Sequence, residues 1–288
     1  MSTLQIDFKK LNLALQPHVM AGILQLKDDS DTNYSELERL IKSDQNLTGF
    51  VLKASNSPLY ARGNEIRKLQ HAIALLGFRV IRSLAAAAGS QQLFQSANYA
   101  RFRKHVWQHS VASAVVATKL CEQLNLKDIR EEAFVATLLH DIGKVVLNSH
   151  DRKKFIEVIN KVEEGGVTFS AAESEIFGSN HMEVGAIAAT EWKLPAIFSK
   201  VLGHHDGDLK KVISDLSPED RRLFLISAAG NHIANATGYG HAAEAEEEAL
   251  DFLMTELGFS QEAKLSFLNS VGSSIEEDEF YKFFILLI

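Results

Sequence analysis

Apolar residues along this chain recur mostly at intervals of three and four, and alternating β-branched runs are few. That period puts one face of a helix against a core and predicts an all-α chain. Proline occurs only at Pro17, Pro58, Pro195 and Pro218, so little interrupts the pattern. Ser35 with Glu38 has the spacing of a capping box, ahead of a helix that buries Leu37, Leu40 and Ile41. A short helix is expected over 47–54, ending before the turn sequence Asn56-Ser57-Pro58. Two more cover 68–76 and 78–88, with Gly77 between them and Gly89 as a stop. This section reads as a small helical bundle. Any binding role in it falls to the polar turn around Asn56 to Arg62.

Further along, Trp107, Val111, Ala114, Val115, Thr118 and Cys121 follow one long helix, and its alanines and serines allow close packing of a neighbour. His109 sits among these small residues. The next helix is expected to run unbroken over 131–147, with Phe134, Leu138, Leu139 and Ile142 apolar. Asp141 interrupts that face directly after the leucines. A carboxylate beside a core stripe is costly unless it is paired or ligates a metal. A helix with Val158, Ile159 and Val162 ends at Gly165-Gly166, and Ser170 with Glu173 has a second capping-box pattern. Asn180 and Glu183 form a third, placing His181 in the first turn of a helix. Pro195 opens a helix that runs into Gly203-His204-His205-Asp206-Gly207. Ser217-Pro218-Glu219-Asp220 is a strong helix start, with a serine cap and proline in the first turn. Glu244 to Glu248 reads as a solvated helix start, Ser260 as the cap of a helix through Leu265 and Leu268, and the apolar end over 280–288 as a docking segment.

Composition narrows the class. The chain has 288 residues, 46% hydrophobic and 23% charged, with a net charge of -7. No basic excess points to nucleic acid. No charge-free run approaches the roughly 18 residues that a membrane span needs, and no signal-peptide pattern opens the chain. Cys121 is the only cysteine, which rules out an intrachain disulfide and any CxxC metal site. A cytoplasmic protein is expected.

The chemistry lies in the scattered histidines. His109, His140, Asp141, His181, His204 and His205 form a credible two-metal ligand set drawn from about four helices, as helical bundles build metal sites. Their spacing matches no short zinc motif, so residue chemistry alone reaches a His/Asp metal centre and no particular metal.

The same residues carry a family resemblance. The stretches LIKSDQNLTGFVLKASNSPLY at 40–60, HAIALLGFRVIRSL at 71–84, WQHS at 107–110 and EEAFVATLLHDIGKVVL at 131–147 are joined by EIFGSNHMEVGAIAATEWKLP at 175–195, HH at 204–205 and AAGNHIANATG at 228–238. Together, over 17–240, they resemble the HDOD proteins, the HD-related output domain branch of the HD metal-dependent phosphohydrolase superfamily. The resemblance implies a two-lobed, all-α protein with an HD-type helical core. Its parts would be an N-terminal bundle over 1–95, an HD-like lobe over 96–240 and C-terminal helices over 241–288 packed on that lobe. It implies that His109, His140, Asp141 and the position of Asn231 hold a first metal. By likeness to the HD-GYP phosphodiesterases, His181, His204 and His205 would hold a second, Asp141 would bridge the two, and Lys144 would meet a substrate phosphate. Asp141 and Lys144 are thus the catalytic residues of the enzymatic reading.

This chain departs from the catalytic pattern twice. Asn231 stands where the enzymes carry a final aspartate, and an amide brings no negative charge to a cation. The glycine-tyrosine-proline segment is missing: His205 is followed by Asp206-Gly207-Asp208-Leu209-Lys210. The expectation is therefore a non-catalytic signalling or regulatory module that binds a partner protein or small-molecule ligand, with homo-oligomerisation left open. A divalent metal is compatible, with Fe, Mn, Mg, Ni and Zn undistinguished, and no organic cofactor is implied. The alternative is a metal-dependent phosphohydrolase acting on a nucleotide or cyclic-nucleotide phosphodiester.

Overall fold

The three-four period becomes helix, and no strand occurs among the described residues, which are 4, 6–8, 17–26, 31–60, 65–91, 100–241 and 247–287 of this computed structural model. Helices α1 (Pro17–Gln25), α2 (Asp31–Lys42), α3 (Gln45–Ser55) and α4 (Leu69–Gln91) pack on one another. Val19, Ile23, Leu37, Ile41, Leu47, Val51, Ile81 and Leu84 meet between them. Asp44 caps α3 by accepting the Leu47 N–H at 2.9 Å. Ser35 does not cap α2, which begins upstream at Asp31. The ring of Tyr34 meets Phe78 edge-on at 4.7 Å, a tertiary contact that holds the earlier turn. Gly77 breaks α4 as expected: its φ of 72° and ψ of 169° are open to glycine and strained for other residues. Gly89 does not stop the helix, which continues to Gln91.

By length and composition alone, Leu69–Ala88 could cross a membrane, yet 67% of its most apolar window is buried within the protein. Arg82 from this stretch also pairs with Glu131 at 3.2 Å. Burial on this scale, with a paired arginine, marks a core helix.

A short α5 (Ala100–Phe102) and a π-helical turn (Arg103–Gln108) lead into α6 (His109–Gln123). Next come α7 (Arg130–Leu139), α8 (Ile142–His150), α9 (Arg152–Glu164), α10 (Phe169–Phe177), α11 (His181–Glu191), α12 (Ala196–His204), α13 (Leu209–Ser214) and α14 (Pro218–Ala236). The last helices are α15 (Glu247–Glu256), α16 (Gln261–Gly272) and α17 (Glu279–Leu287). Helix α6 is central: α7, α14 and α17 all pack on it. Its small residues permit this. A Cβ added at Gly230 of α14 would lie 2.7 Å from the Ser113 carbonyl of α6, so only glycine allows that approach.

The single helix expected over 131–147 is two helices, and the break falls on His140 and Asp141. Asp141 has φ -93° and ψ 13°, outside the helical well. The Ser170–Glu173 capping box is also absent. Thr168 caps α10 instead, accepting the Ala171 N–H at 3.2 Å, and Glu173 is fully buried. The other starts are as read. Asn180 accepts the Glu183 N–H at 3.0 Å, Ser217 that of Asp220 at 3.2 Å, and Ser260 that of Ala263 at 3.2 Å.

The apolar C-terminus docks on the bundle. The Trp107 indole N–H donates to the Phe284 carbonyl at 3.3 Å, and the Phe284 ring lies 5.7 Å from that of Phe134. Phe283 meets Tyr60 edge-on at 5.5 Å, so α17 also touches the segment after α3. The proposed lobe junction around 90–104 lies largely outside the described residues, as does the acidic run up to residue 246.

Candidate metal centre

Helix ends and one close approach assemble the site. The π-helical turn before α6 adds a residue to the turn and shifts the phase of the helix that begins at His109. The break between α7 and α8 frees His140 and Asp141 from the roughly 100° separation of neighbours in a helix. Both can then face one point. His181 opens α11, and His205 follows the end of α12. A Cβ at Gly143 would lie 1.9 Å from the His181 carbonyl oxygen, so glycine in α8 is what lets α11 come this close.

The side chains form two groups that share Asp141: His109, His140 and Asp141, and Asp141, His181 and His205. Within each, the candidate ligand atoms lie within 4.8 Å of one another, and all are buried. Asp141 Oδ2 faces the first pair, 3.8 Å from His109 Nε2 and 3.5 Å from His140 Nε2. Its Oδ1 faces the second, 3.4 Å from His181 Nε2 and 3.6 Å from His205 Nε2. One carboxylate thus serves two histidine pairs, one oxygen to each.

The outer nitrogens of the four rings determine what the inner ones offer. His109 Nδ1 is 3.1 Å from the Tyr239 carbonyl, His140 Nδ1 is 2.6 Å from that of Thr137, and His205 Nδ1 is 3.2 Å from that of Val201. His181 Nδ1 is 2.6 Å from Glu173 Oε2. Each of these partners only accepts, so each Nδ1 carries the proton and donates. In the neutral rings every Nε2 then points a lone pair inward. These Nε2 atoms face one another, at 3.1 Å between His109 and His140, which burial keeps neutral, and at 3.3 Å between His181 and His205. Facing lone pairs repel without a cation between them. The donor set therefore fits a divalent metal in each half.

Burial keeps the first pair neutral. It is the largest influence on His109, lowered to about 4, and on His140, lowered to about 3. Burial also opposes charge on Asp141, but Lys144 and His140 outweigh it and hold the carboxyl well below its ordinary value. His205 is raised: burial works against its charged form, and Asp206 and Asp141 overcome it.

Lys144 Nζ donates to Asp141 Oδ2 at 2.8 Å and lies 4.4 Å from the centre of the Phe169 ring. It is 2% exposed, and its ammonium points into the centre rather than outward. Asn231 is also buried, with Oδ1 3.0 Å from His109 Nε2. His204 does not join either group. It ends α12 half-buried, with burial the main cause of its lowered pKa, while its neighbour His205 turns inward.

The sequence reading missed three residues of this centre. Glu173, read as a helix cap, orients His181 by accepting its backbone N–H at 2.7 Å as well as its ring N–H. Asp206 sits at the rim with its side chain 19% exposed, and His232 is buried beside it. The available signals were a carboxylate set among apolar residues in α10 and polar neighbours directly following His205 and Asn231. Away from the centre, the polar turn after α3 borders a cavity of about 340 Å³ lined by Lys53, Ser57, Pro58, Leu59, Glu279, Lys282 and Phe283. The exposed Asn56 closes the turn by binding both backbone groups of Ile66, and residues 61–62 lie outside the described residues.

An all-helical protein with a shared carboxylate between two histidine pairs is the class that fold and site define. The HDOD domain profile matches residues 13–207, more than half of the chain, and the chain belongs to the HDOD domain family. The match ends at Gly207, short of Asn231 and of the expected limit at 240. An HDOD domain protein of unknown function from Geobacter sulfurreducens is 25% identical, with a TM-score of 0.69 over 95% of this chain and 92% of that one. A Marinobacter aquaeolei VT8 protein, provisionally named for signal transduction, is 20% identical with a TM-score of 0.71, covering 99% of this chain and 61% of that one. An uncharacterized protein of Treponema pallidum (strain Nichols) is 22% identical over 194 residues, 66% of this chain. The match spans only 37% of that protein's length.

Proposed function

We propose that this chain is a regulatory HDOD module that binds a signalling protein or small ligand, and that its buried His/Asp centre holds divalent metal for structure rather than turnover. The carrying observation is the Lys144–Asp141 pair, at 2.8 Å with both side chains no more than 2% exposed. A phosphate-binding lysine must meet solvent or substrate, whereas this one neutralises the shared carboxylate. His109, His140, Asp141 and Asn231 would hold one ion, and Asp141, His181 and His205 the other. The cavity beside Pro58 supports the ligand-binding part of the reading, since its size suits a small molecule. The provisional signal-transduction name of the Marinobacter relative points the same way. The same reading keeps a division into an N-terminal bundle (1–95), an HD-like lobe (96–240) and C-terminal helices (241–288).

Protein purified without a nickel column decides the matter by elemental analysis, followed by a phosphodiester hydrolysis screen with added manganese or iron. Bound metal without turnover is expected. Turnover abolished by Asp141→Ala would sink the regulatory reading in favour of a phosphohydrolase. One observation favours that second reading: the two oxygens of Asp141 face separate histidine pairs, the placement a two-metal hydrolase uses. Metals there would supply an activated water at neutral pH.

A further inference from the structure

The amide at Asn231 sits where charge is missing, and its surroundings show what replaces that charge. Asn231 Nδ2 donates a short hydrogen bond to Asp206 Oδ1. That bond determines which way the amide faces. Reversed, the carbonyl oxygen would oppose the Asp206 carboxylate. As placed, Oδ1 points at His109 Nε2, 3.0 Å away. Since His109 Nδ1 donates to the Tyr239 carbonyl, the facing Nε2 is a lone pair. Asp206 therefore selects the amide orientation that gives up a hydrogen bond to His109. Asn235 Nδ2, 3.3 Å from Asn231 Oδ1, favours the same orientation. The lone pairs of His109, His140 and Asn231 are then turned to one another, an arrangement suited to a cation.

Asp206 also carries the charge the amide lacks. Its Oδ2 is 3.5 Å from His205 Nε2, and its Oδ1 is 3.6 Å from His232 Nε2. His232 is 3% exposed, and among the described residues neither of its ring nitrogens has a hydrogen-bond partner. Asp206 thus stands against both halves of the centre, beside Asn231 in one and His205 in the other.

The geometry points to Asp206 as the positioning carboxylate of the centre. Supplied from the turn after α12 rather than from α14, it aims the Asn231 carbonyl at the first metal position and restores the negative charge absent at 231. This assignment rests on the metal reading above. It makes the chain a relocated-carboxylate version of the site rather than a weakened one.

Titration of the metal-stripped full chain with Co2+, followed by visible absorption, tests it. Asp206→Asn keeps an acceptor for Asn231 but removes the charge, and is expected to raise the Co2+ Kd by about tenfold or more. Adding Asn231→Asp to that variant returns the charge to α14 and is expected to restore wild-type affinity and absorption. A merely structural role for Asp206 predicts no such rescue. Equal Kd for wild type and Asp206→Asn overturns the assignment while leaving the metal reading intact. No Co2+ absorption in the wild type overturns both. Circular dichroism checks folding. Were Asp206→Asn unfolded, the double variant against wild type decides: equal Kd supports the assignment and a tenfold loss overturns it.

Discussion

The first four helices and the helices around Asp141 bury their side chains on different terms. In α1–α4 the buried residues are overwhelmingly aliphatic and aromatic. The buried polar side chains there, Asp44, Ser55 and Ser83, bond locally to Leu47, Leu52 and Arg79 of their own helices or helix ends. Around α6–α14 the core instead holds His109, His140, Asp141, Lys144, Glu173, His181, His205, Asn231 and His232. Some of these bond locally, as Lys144 does to Asp141, but the contacts that assemble the centre join distant residues, such as His109 with Tyr239 and Asn231, and Asn231 with Asp206. Apolar burial is non-directional and needs only the right volume. A buried polar network needs every donor matched to an acceptor, and each error leaves a costly orphan. The first region is therefore a scaffold that tolerates change, and the second is a device that does not.

Substitutions can test that contrast. Asp141→Ala should have the largest effect. It takes the carboxylate from Lys144 Nζ and from both histidine pairs, and should cost about 3–5 kcal/mol in urea unfolding together with all bound metal. Adding Lys144→Met should recover much of that stability and none of the metal, because a buried ion pair can be replaced by apolar groups. In the scaffold, Leu47→Ala should cost about 2–5 kcal/mol of stability and leave metal content unchanged by elemental analysis. A parallel loss of metal there would erase the distinction between the regions.

Gly143→Ala should cost about 1–3 kcal/mol and lower metal content as well, because its Cβ would meet the His181 carbonyl at 1.9 Å. Glu173→Gln should leave the melting temperature of the metal-free chain within a few degrees but weaken metal binding by about 10–100-fold, read by competition with a chelating dye. The smallest effect concerns Cys121, buried in α6 with its thiol pushed up to about 12 chiefly by burial. At pH 8 it should resist a disulfide reagent in the native protein and react fully in denaturant. Rapid native labelling would mean that α6 opens far more readily than a central helix should.

Much of this protein was legible before folding was considered. The three-four period determined the all-α class, because it records locally which face of each helix leaves water. The starts at Asn180, Ser217 and Ser260 were legible for the same reason, since a cap and the N–H it satisfies are neighbours in sequence. The ligand-forming residue types could also be named, as could the departure at Asn231. Tertiary structure decided the rest. It broke the helix between Leu139 and Ile142, turned His205 inward and left His204 at the edge, made Glu173 a partner of His181, and set Asp206 against Asn231. Each of these depends on where one helix end meets another. A hydrogen bond between residues 8 or 25 positions apart leaves no periodic trace in a sequence. Only the packing of α10 on α11 and of α12 on α14 brings those partners within reach.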